Sequence, residues 1–498
     1  MSQIRRKSIK GAVWIYLGFM IGAINTYFYT HKNWFTPDQY GLTRSLLEIS
    51  MLIFATSSLG TNFFFYKFFP YYSDNLQKKD NDILGLALKI CLIGFIVTVT
   101  GLLFLQPLIV QKFGTNSILL VEYFYVTIPI AFFILLFNLL EAFSYGFDKG
   151  VTTNLLKETV LRGYTLLLVF LKVFNIIDFR TFILLFSLQY AIIFIILAVI
   201  LKREGHLWLV FKTSRVTKKY RKKIISILSL TFIVLVVTVL RTSIDGLVLA
   251  ARQNLGKVAI FGFASYLVTV MQAPFRSIVS ITIPVLSRQW KDKNIKEISK
   301  IYKRSSINLL SFSLFIFFLI LLNFEPAIQY FNVNPEYYQG ESVFILLGVV
   351  TIIEMGTGVN GQIIGTSNFW RFELWTNFLL TAMIIPLSYF LTVKYGLIGP
   401  ALANLVSFTI YNSIRYFFLL KKFNMQPFSK KTAEVFLIAI VGYLLTFYFF
   451  KNENGFLFIA GRTILYSILF TIPAYFRNIS PDLKPVVLTV INRIKAIL

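Results

Sequence analysis

Apolar stretches of roughly 20 residues recur along this whole chain, and each is long enough to cross a hydrocarbon core of about 30 Å. Nothing else in the sequence restricts the fold so strongly. A chain of 498 residues that is 56% hydrophobic and 17% aromatic, with a mean hydropathy of +0.71, is too apolar for any soluble class. The pattern predicts an all-α polytopic membrane protein with about 14 spans. They lie near 11–30, 43–66, 83–105, 118–143, 155–174, 181–201, 224–250, 258–286, 305–323, 342–366, 372–393, 397–420, 432–450 and 456–476. "IRRKSIK" resembles the charged start of a signal peptide, but the segment after it is span-length and lacks a small-residue cleavage site, so a retained first span is expected.

A net charge of +27 invites a nucleic-acid reading, which the distribution argues against. Lys and Arg concentrate in the N-terminus, in alternate loops and in the C-terminus, while the intervening loops hold few. The positive-inside rule then places both termini in the cytoplasm, and the basic excess reads as topology and contact with anionic membrane lipids. The single cysteine, Cys91, permits no intrachain disulfide and no cysteine-based metal site. The two histidines, His31 and His206, lie near loops rather than along a proton path. No phosphate-binding glycine loop, zinc spacing or nucleophile elbow occurs, so neither ATP hydrolysis nor a cofactor is expected.

The chain reads as two halves and a tail. A basic loop at 202–223, containing "SRVTKKYRKK", separates a six-span lobe at 1–201 from a second at 224–422, and two extra helices with a tail occupy 423–498. An offset of 221 residues sets "TPDQYGLTRSLL" over "GKVAIFGFASYL" and carries Tyr40-Gly41 onto Phe261-Gly262. Six spans per half is an even number, so these are parallel repeats, the arrangement in which one half rocks against the other.

Charges inside the spans stand out, because a charge near the bilayer centre costs about 2.5–3.5 kcal/mol even on a lenient scale. Arg44 and Glu48 are four apart, as are Arg241 and Asp245, so each pair shares a helix face and partly neutralises itself. Such pairs still favour water or protein over lipid. Arg276 follows Pro274 in "QAPFRS", where a proline opens a helix. Glu354 sits among glycines, Asn360 and Gln362, a setting that suits a helix contact as well as a cavity wall. Lys89, Arg162, Arg415 and Glu141 lie near cytoplasmic ends, and Glu122 near an outer one; for the basic three, snorkelling suffices. Trp14, Trp34, Trp370 and Trp375 read mainly as interfacial and lipid-facing aromatics.

Four stretches carry a family resemblance. "YTHKNWFTPDQYGLTRSLLEISMLIFATSSLG" resembles the first loop and second helix of bacterial polysaccharide and O-antigen flippases (Wzx-like). "DGLVLAARQNLGKVAIFGFASYL" is similar to their passage from the seventh to the eighth helix, "YGLIGPALANLVSF" to their twelfth helix, and "YFFLLKKF" to its basic end. The family belongs to the multidrug/oligosaccharidyl-lipid/polysaccharide exporter (MOP) superfamily. The resemblance implies two six-helix lobes around a central cavity lined by spans one, two, seven and eight, plus two C-terminal helices. It also implies translocation of undecaprenyl-diphosphate-linked oligosaccharide from the cytoplasmic to the outer leaflet of the bacterial inner membrane, for surface polysaccharide biosynthesis.

That activity demands cations for a diphosphate, which a planar guanidinium meets with bidentate hydrogen bonds. Arg44, Arg241 and Arg276 are the candidate diphosphate ligands, and Glu48, Asp245 and Glu354 the candidate groups for ion coupling. Partners expected are the lipid-linked glycan, anionic lipids and polysaccharide assembly proteins, with the transport path inside one monomer. A membrane oligosaccharide polymerase or lipid-linked glycosyltransferase is the alternative from another class. The largest outer loop, from about Asn323 to Glu341, has around 19 residues and no Lys, Arg or His, which weighs against it. A multidrug or metabolite exporter is the alternative within the superfamily.

Overall fold

The computed structural model describes residues 2–451, 453–480 and 482; the tail beyond 482, part of the expected 423–498 segment, lies outside the described residues. Among the described residues the chain is helical without strands, and each of the expected spans overlaps helix. Among the described residues nine helical segments are long and apolar enough to cross a bilayer, and two bent helix pairs bring the number to eleven. This is a multi-pass α-helical membrane protein.

The chain separates into two compact units, Met1–Ala259 and Ile260–Leu498. The first contains α1 (Ser2–Thr30), α2 (Pro37–Ser58), α3 (Thr61–Asn75), α4 (Ile83–Phe113), α5 (Ile118–Glu122), α6 (Thr127–Ser144) and α7 (Gly150–Asn154). A π-helical turn, Leu155–Val160, leads into α8 (Leu161–Val173), followed by α9 (Phe179–Phe186), α10 (Gln189–Arg203) and α11 (Arg215–Arg252). The boundary falls inside α12 (Leu255–Met271), beyond the 202–223 loop, because α11 packs on α2, α3 and α4.

Local chemistry sets the helix ends that matter here. Thr36 caps α2: its hydroxyl accepts from Gln39 N at 3.2 Å, the Gln39 side chain accepts from Thr36 N at 3.1 Å, and Pro37 takes the first helical turn. The second span breaks between α2 and α3 with a bend of 43°, where Leu59 and Gly60 have φ of 47° and 79°. A Cβ on Gly60 would come within 2.5 Å of Leu228 O, so the break and the close approach of α11 require glycine there.

The second unit contains α13 (Ala273–Lys291), α14 (Ile295–Tyr330), α15 (Gly340–Gly356), α16 (Asn360–Gly365), α17 (Trp370–Tyr395), α18 (Gly399–Phe423), α19 (Lys430–Phe449) and α20 (Phe456–Phe476). Its spans are broken at two places, the first of them at the expected proline. α12 and α13 meet at 47° around Gln272, so Pro274 lies in the first turn of α13, where its missing N–H costs nothing. The tenth span divides at Gly358, φ 60°. The helical run Trp370–Phe423, at 54 residues, would be roughly 80 Å long if straight, more than twice a hydrocarbon core. It folds back at Gly396 instead: Thr392 meets Gly399, Asn377 meets Tyr411, and Glu373 meets Arg415.

Candidate functional site

The α2–α3 pair and α11 run antiparallel along their length in the first unit, held by contacts in regular descending register. Near one end a Cβ on Gly41 would lie 1.8 Å from Leu255 O, and Gly256 N donates to Asp38 Oδ1 at 2.7 Å. Further along, Gly246 of α11 faces Glu48 of α2. Thr231 then donates to Gly60 O at 3.1 Å, and at the far end Tyr72 and Thr217 share a hydrogen bond of 2.6 Å. Small residues at these crossings let the backbones approach, the usual device where lipid supplies no hydrophobic drive.

The charged residues lie on this seam. The Glu48 carboxylate is laid directly against Gly246: a Cβ there would sit 2.0 Å from Oε2 and 2.5 Å from Oε1. Oε2 is buried and has no hydrogen-bond partner among the described residues. Arg44 attracts the charge on Glu48 and Asp245 repels it, so all three lie within electrostatic reach. The Arg44 guanidinium is 6.0 Å from the Tyr40 ring, which stacks on Tyr29 at 4.7 Å. Arg241 lies one turn from Asp245 on α11, and all four charged residues are half-buried rather than sealed. The supports are rigid: Ser117 Oγ donates to Ala250 O at 2.6 Å, Asn116 to Ala251 O at 3.0 Å, and Ser50 Oγ to Thr127 O at 3.1 Å.

The structure thus brings Arg44, Glu48 and Asp245 within electrostatic reach across α2 and α11, with Arg241 one turn from Asp245 on α11. Arg276 and Glu354 belong to the second unit. Arg276 is exposed on the first turn of α13, just past the bend, and Glu354 is half-buried near the end of α15.

Two residues expected to snorkel do something else. Arg415 is buried, ion-paired with Glu373 from α17, and stacked on the Tyr411 ring at 3.8 Å; a Cβ on Gly361 would press on it at 3.0 Å. Around it Asn377 donates to Glu373 Oε1 at 2.9 Å, Tyr411 donates to Asn377 Oδ1 at 3.0 Å, and Thr357 and Asn360 donate to Asn412 Oδ1 at 3.0 and 3.2 Å. Partners from two facing helices replace the water that snorkelling would have reached. Arg162 pairs with Glu158 at 2.7 Å and donates to Gly18 O at 2.7 Å, tying α8 to α1. Its first anchor is in its own helix, but the second lies across the unit, which spacing within one helix does not reveal.

Glu141 pairs with Lys157 at 3.1 Å and accepts from Tyr145 at 3.1 Å. Trp34 is packed among other rings: His31 stacks on it at 3.8 Å and Phe28 at 4.7 Å. Outside the spans, burial and the neighbouring Lys32 hold the His31 imidazole below its ordinary pKa, which favours the neutral ring in that stack.

Solved structures share this fold. Over 94% of this chain and 99% of the other, it matches a lipid II flippase, MurJ, in an inward closed conformation, with a TM-score of 0.75 at 16% identity. A multidrug resistance MATE family transporter of the MOP superfamily, inward-facing, matches over 82% of this chain and 96% of its own, with a TM-score of 0.61 at 16% identity. A MOP superfamily transporter from Pyrococcus furiosus, reported with a binding pocket of reverse polarity, matches over 84% and 95%, with a TM-score of 0.51 at 12% identity. No family model matches the chain, and no curated protein matches it by sequence. The architecture of this chain is the one found in MurJ and the MATE transporters, the fold of the MOP superfamily.

Proposed function

We propose that this protein is a flippase that moves an undecaprenyl-diphosphate-linked oligosaccharide from the cytoplasmic to the outer leaflet by ion-coupled alternating access, for surface polysaccharide biosynthesis. The observation that carries the reading is a seam of two arginines and two carboxylates inside a fold shared, over 94% of the chain, with a lipid II flippase. A transporter, rather than a polymerase or glycosyltransferase, accounts for both.

Arg44 and Arg241 take the diphosphate, since a guanidinium stays protonated and offers paired donors to phosphate oxygens. Arg276, exposed in the second unit, is the third candidate ligand. Without substrate, Glu48 and Asp245 balance the arginines. An arriving diphosphate competes for the same guanidiniums, and a carboxylate that loses its cation takes up a proton or a metal cation, which links substrate to ion. Glu354 is the further coupling candidate. The protein works as a monomer in the bacterial inner membrane with both termini cytoplasmic, delivering its glycan to assembly proteins.

The test is translocation of lipid-linked oligosaccharide in proteoliposomes, run beside export of a soluble cationic drug. Delivery of glycan to the outer leaflet supports the reading. Drug export with no glycan delivery would replace it with the exporter reading that the MATE-like fold also favours.

A further inference from the structure

A second site lies in the first unit at the far end of the seam, beyond its charged residues, where the 75–82 loop meets the start of α11. A cleft of about 600 Å³ opens there, its polar lining including Lys79, Asp80, Lys212 and Arg215 and its apolar lining Leu76 and Val210. Its walls are cross-linked. Lys78 Nζ donates to Gly205 O at 2.9 Å, and Arg215 donates to Asn75 O at 2.9 Å. Beneath them the buried Asp82 accepts from Ser214 N at 2.9 Å and from Thr217 Oγ1 at 2.8 Å, and Thr217 in turn meets Tyr72. The cavity is therefore a built feature, not a gap between loose loops.

Its free functional groups are cationic. Lys79 and Lys212 are exposed and make no ion pair or hydrogen bond through their side chains among the described residues, while Asp80 is the one carboxylate in the lining. The 206–212 segment that carries Lys212 runs against the first turns of α4: a Cβ on Gly85 would meet Val210 O at 2.1 Å, and Lys89 donates to Phe211 O at 2.6 Å. Leu209 and Phe211 are half-exposed beside the cleft. A polar, positive cavity thus adjoins apolar side chains at the edge of a membrane-spanning helix.

We propose that this cleft binds a phosphate group, held by Lys79 and Lys212 between walls fixed by Arg215 and Asp82. Two sources share that chemistry: the headgroup of an anionic membrane lipid, whose acyl chains would lie along Leu209 and Phe211, and a soluble phosphate. The site is independent of the transport reading above.

The test compares the full-length protein with Lys79→Gln/Lys212→Gln in nanodiscs of neutral lipid, titrated with phosphatidylglycerol and separately with inorganic phosphate, with binding followed by native mass spectrometry and thermal shift. Neither lysine holds the fold, so the unliganded melting temperature of the double variant should equal that of wild type. A control removing the same charge at Lys421 and Lys422 should bind like wild type. Two lysines near a membrane surface amount to roughly thirtyfold in affinity for an anionic group, and that loss is expected for whichever probe binds. Response to phosphatidylglycerol alone assigns the lipid source, response to both or to phosphate alone assigns the soluble one, and each supports the site. Equal binding by wild type and the double variant, or no binding of either probe by wild type, overturns it.

Discussion

The α2–α11 seam and the Arg415 network are both clusters of arginines, carboxylates and small residues inside spans, yet they differ in what is packed onto the charges. Arg415 is buried, stacked and ion-paired, and the amides of Asn377, Asn360 and Asn412 close the surrounding network. On the seam the four charged residues stay half-buried, and one oxygen of Glu48 faces a glycine with no hydrogen bond. A buried, stacked ion pair held between two packed helices contributes to one packing arrangement and is closed to a ligand. Half-buried charges without such packing are the ones a ligand can reach. We assign the first network to the fold and propose the second as the functional one.

The sharpest way to break that contrast is Arg415→Ala. It strands the half-buried Glu373, and removing one partner of a buried pair costs up to about 3–5 kcal/mol. Thermal unfolding in detergent should show a large loss, with recovery in Arg415→Leu/Glu373→Leu, where neither charge is left alone. A loss that the double variant fails to recover would mean that packing, not the ion pair, holds α17 to α18.

Glycine substitutions on the seam come next. At Gly41 an added methyl meets the Leu255 backbone, which cannot swing away, and overpacking of this kind costs about 1–3 kcal/mol. At Gly246 it meets only the end of the Glu48 side chain, which can move. Gly41→Ala should therefore destabilise more than Gly246→Ala. The smaller loss should vanish in Gly246→Ala/Glu48→Ala, a cycle that isolates the Glu48 contact.

The smallest effect lies outside the spans. Hydrogen bonds from Arg304 and Asn308 hold the Asp482 carboxyl below its ordinary pKa. A depressed pKa gives stability that is present above the ordinary carboxylate value of 3.8 and is lost as pH falls through the lowered one. The pair is partly exposed, so screening keeps the effect under about 1 kcal/mol. Amide exchange near Asn478 should quicken at low pH and, in Asp482→Asn, already at neutral pH; identical exchange in both proteins would show that the tie is inert.

Much of this was readable in the sequence. Hydropathy located the helices, and i,i+4 spacing picked out both charge pairs of the seam, because both signals are local. Pro274 marked the bend at Gln272, whereas the bend at Gly60 and the π-helical turn at 155–160 depend on what packs against them, so periodicity could not find them. That Glu48 faces Gly246 required the antiparallel register of α2 and α11. Arg415 was misread because its partner is 42 residues away across the α17–α18 turn. A signal did exist: Glu373 and Arg415 lie at similar distances on either side of Gly396, so a hairpin there brings them level.

The most direct measurement is lipid-linked oligosaccharide flipping by Arg241→Ala in proteoliposomes, beside its melting temperature. The account predicts flipping reduced at least tenfold with stability within about 1 kcal/mol of wild type, as a half-exposed position allows. Normal flipping by a folded variant, or a collapse in stability like that of Arg415→Ala, would contradict the assignment of the seam to function.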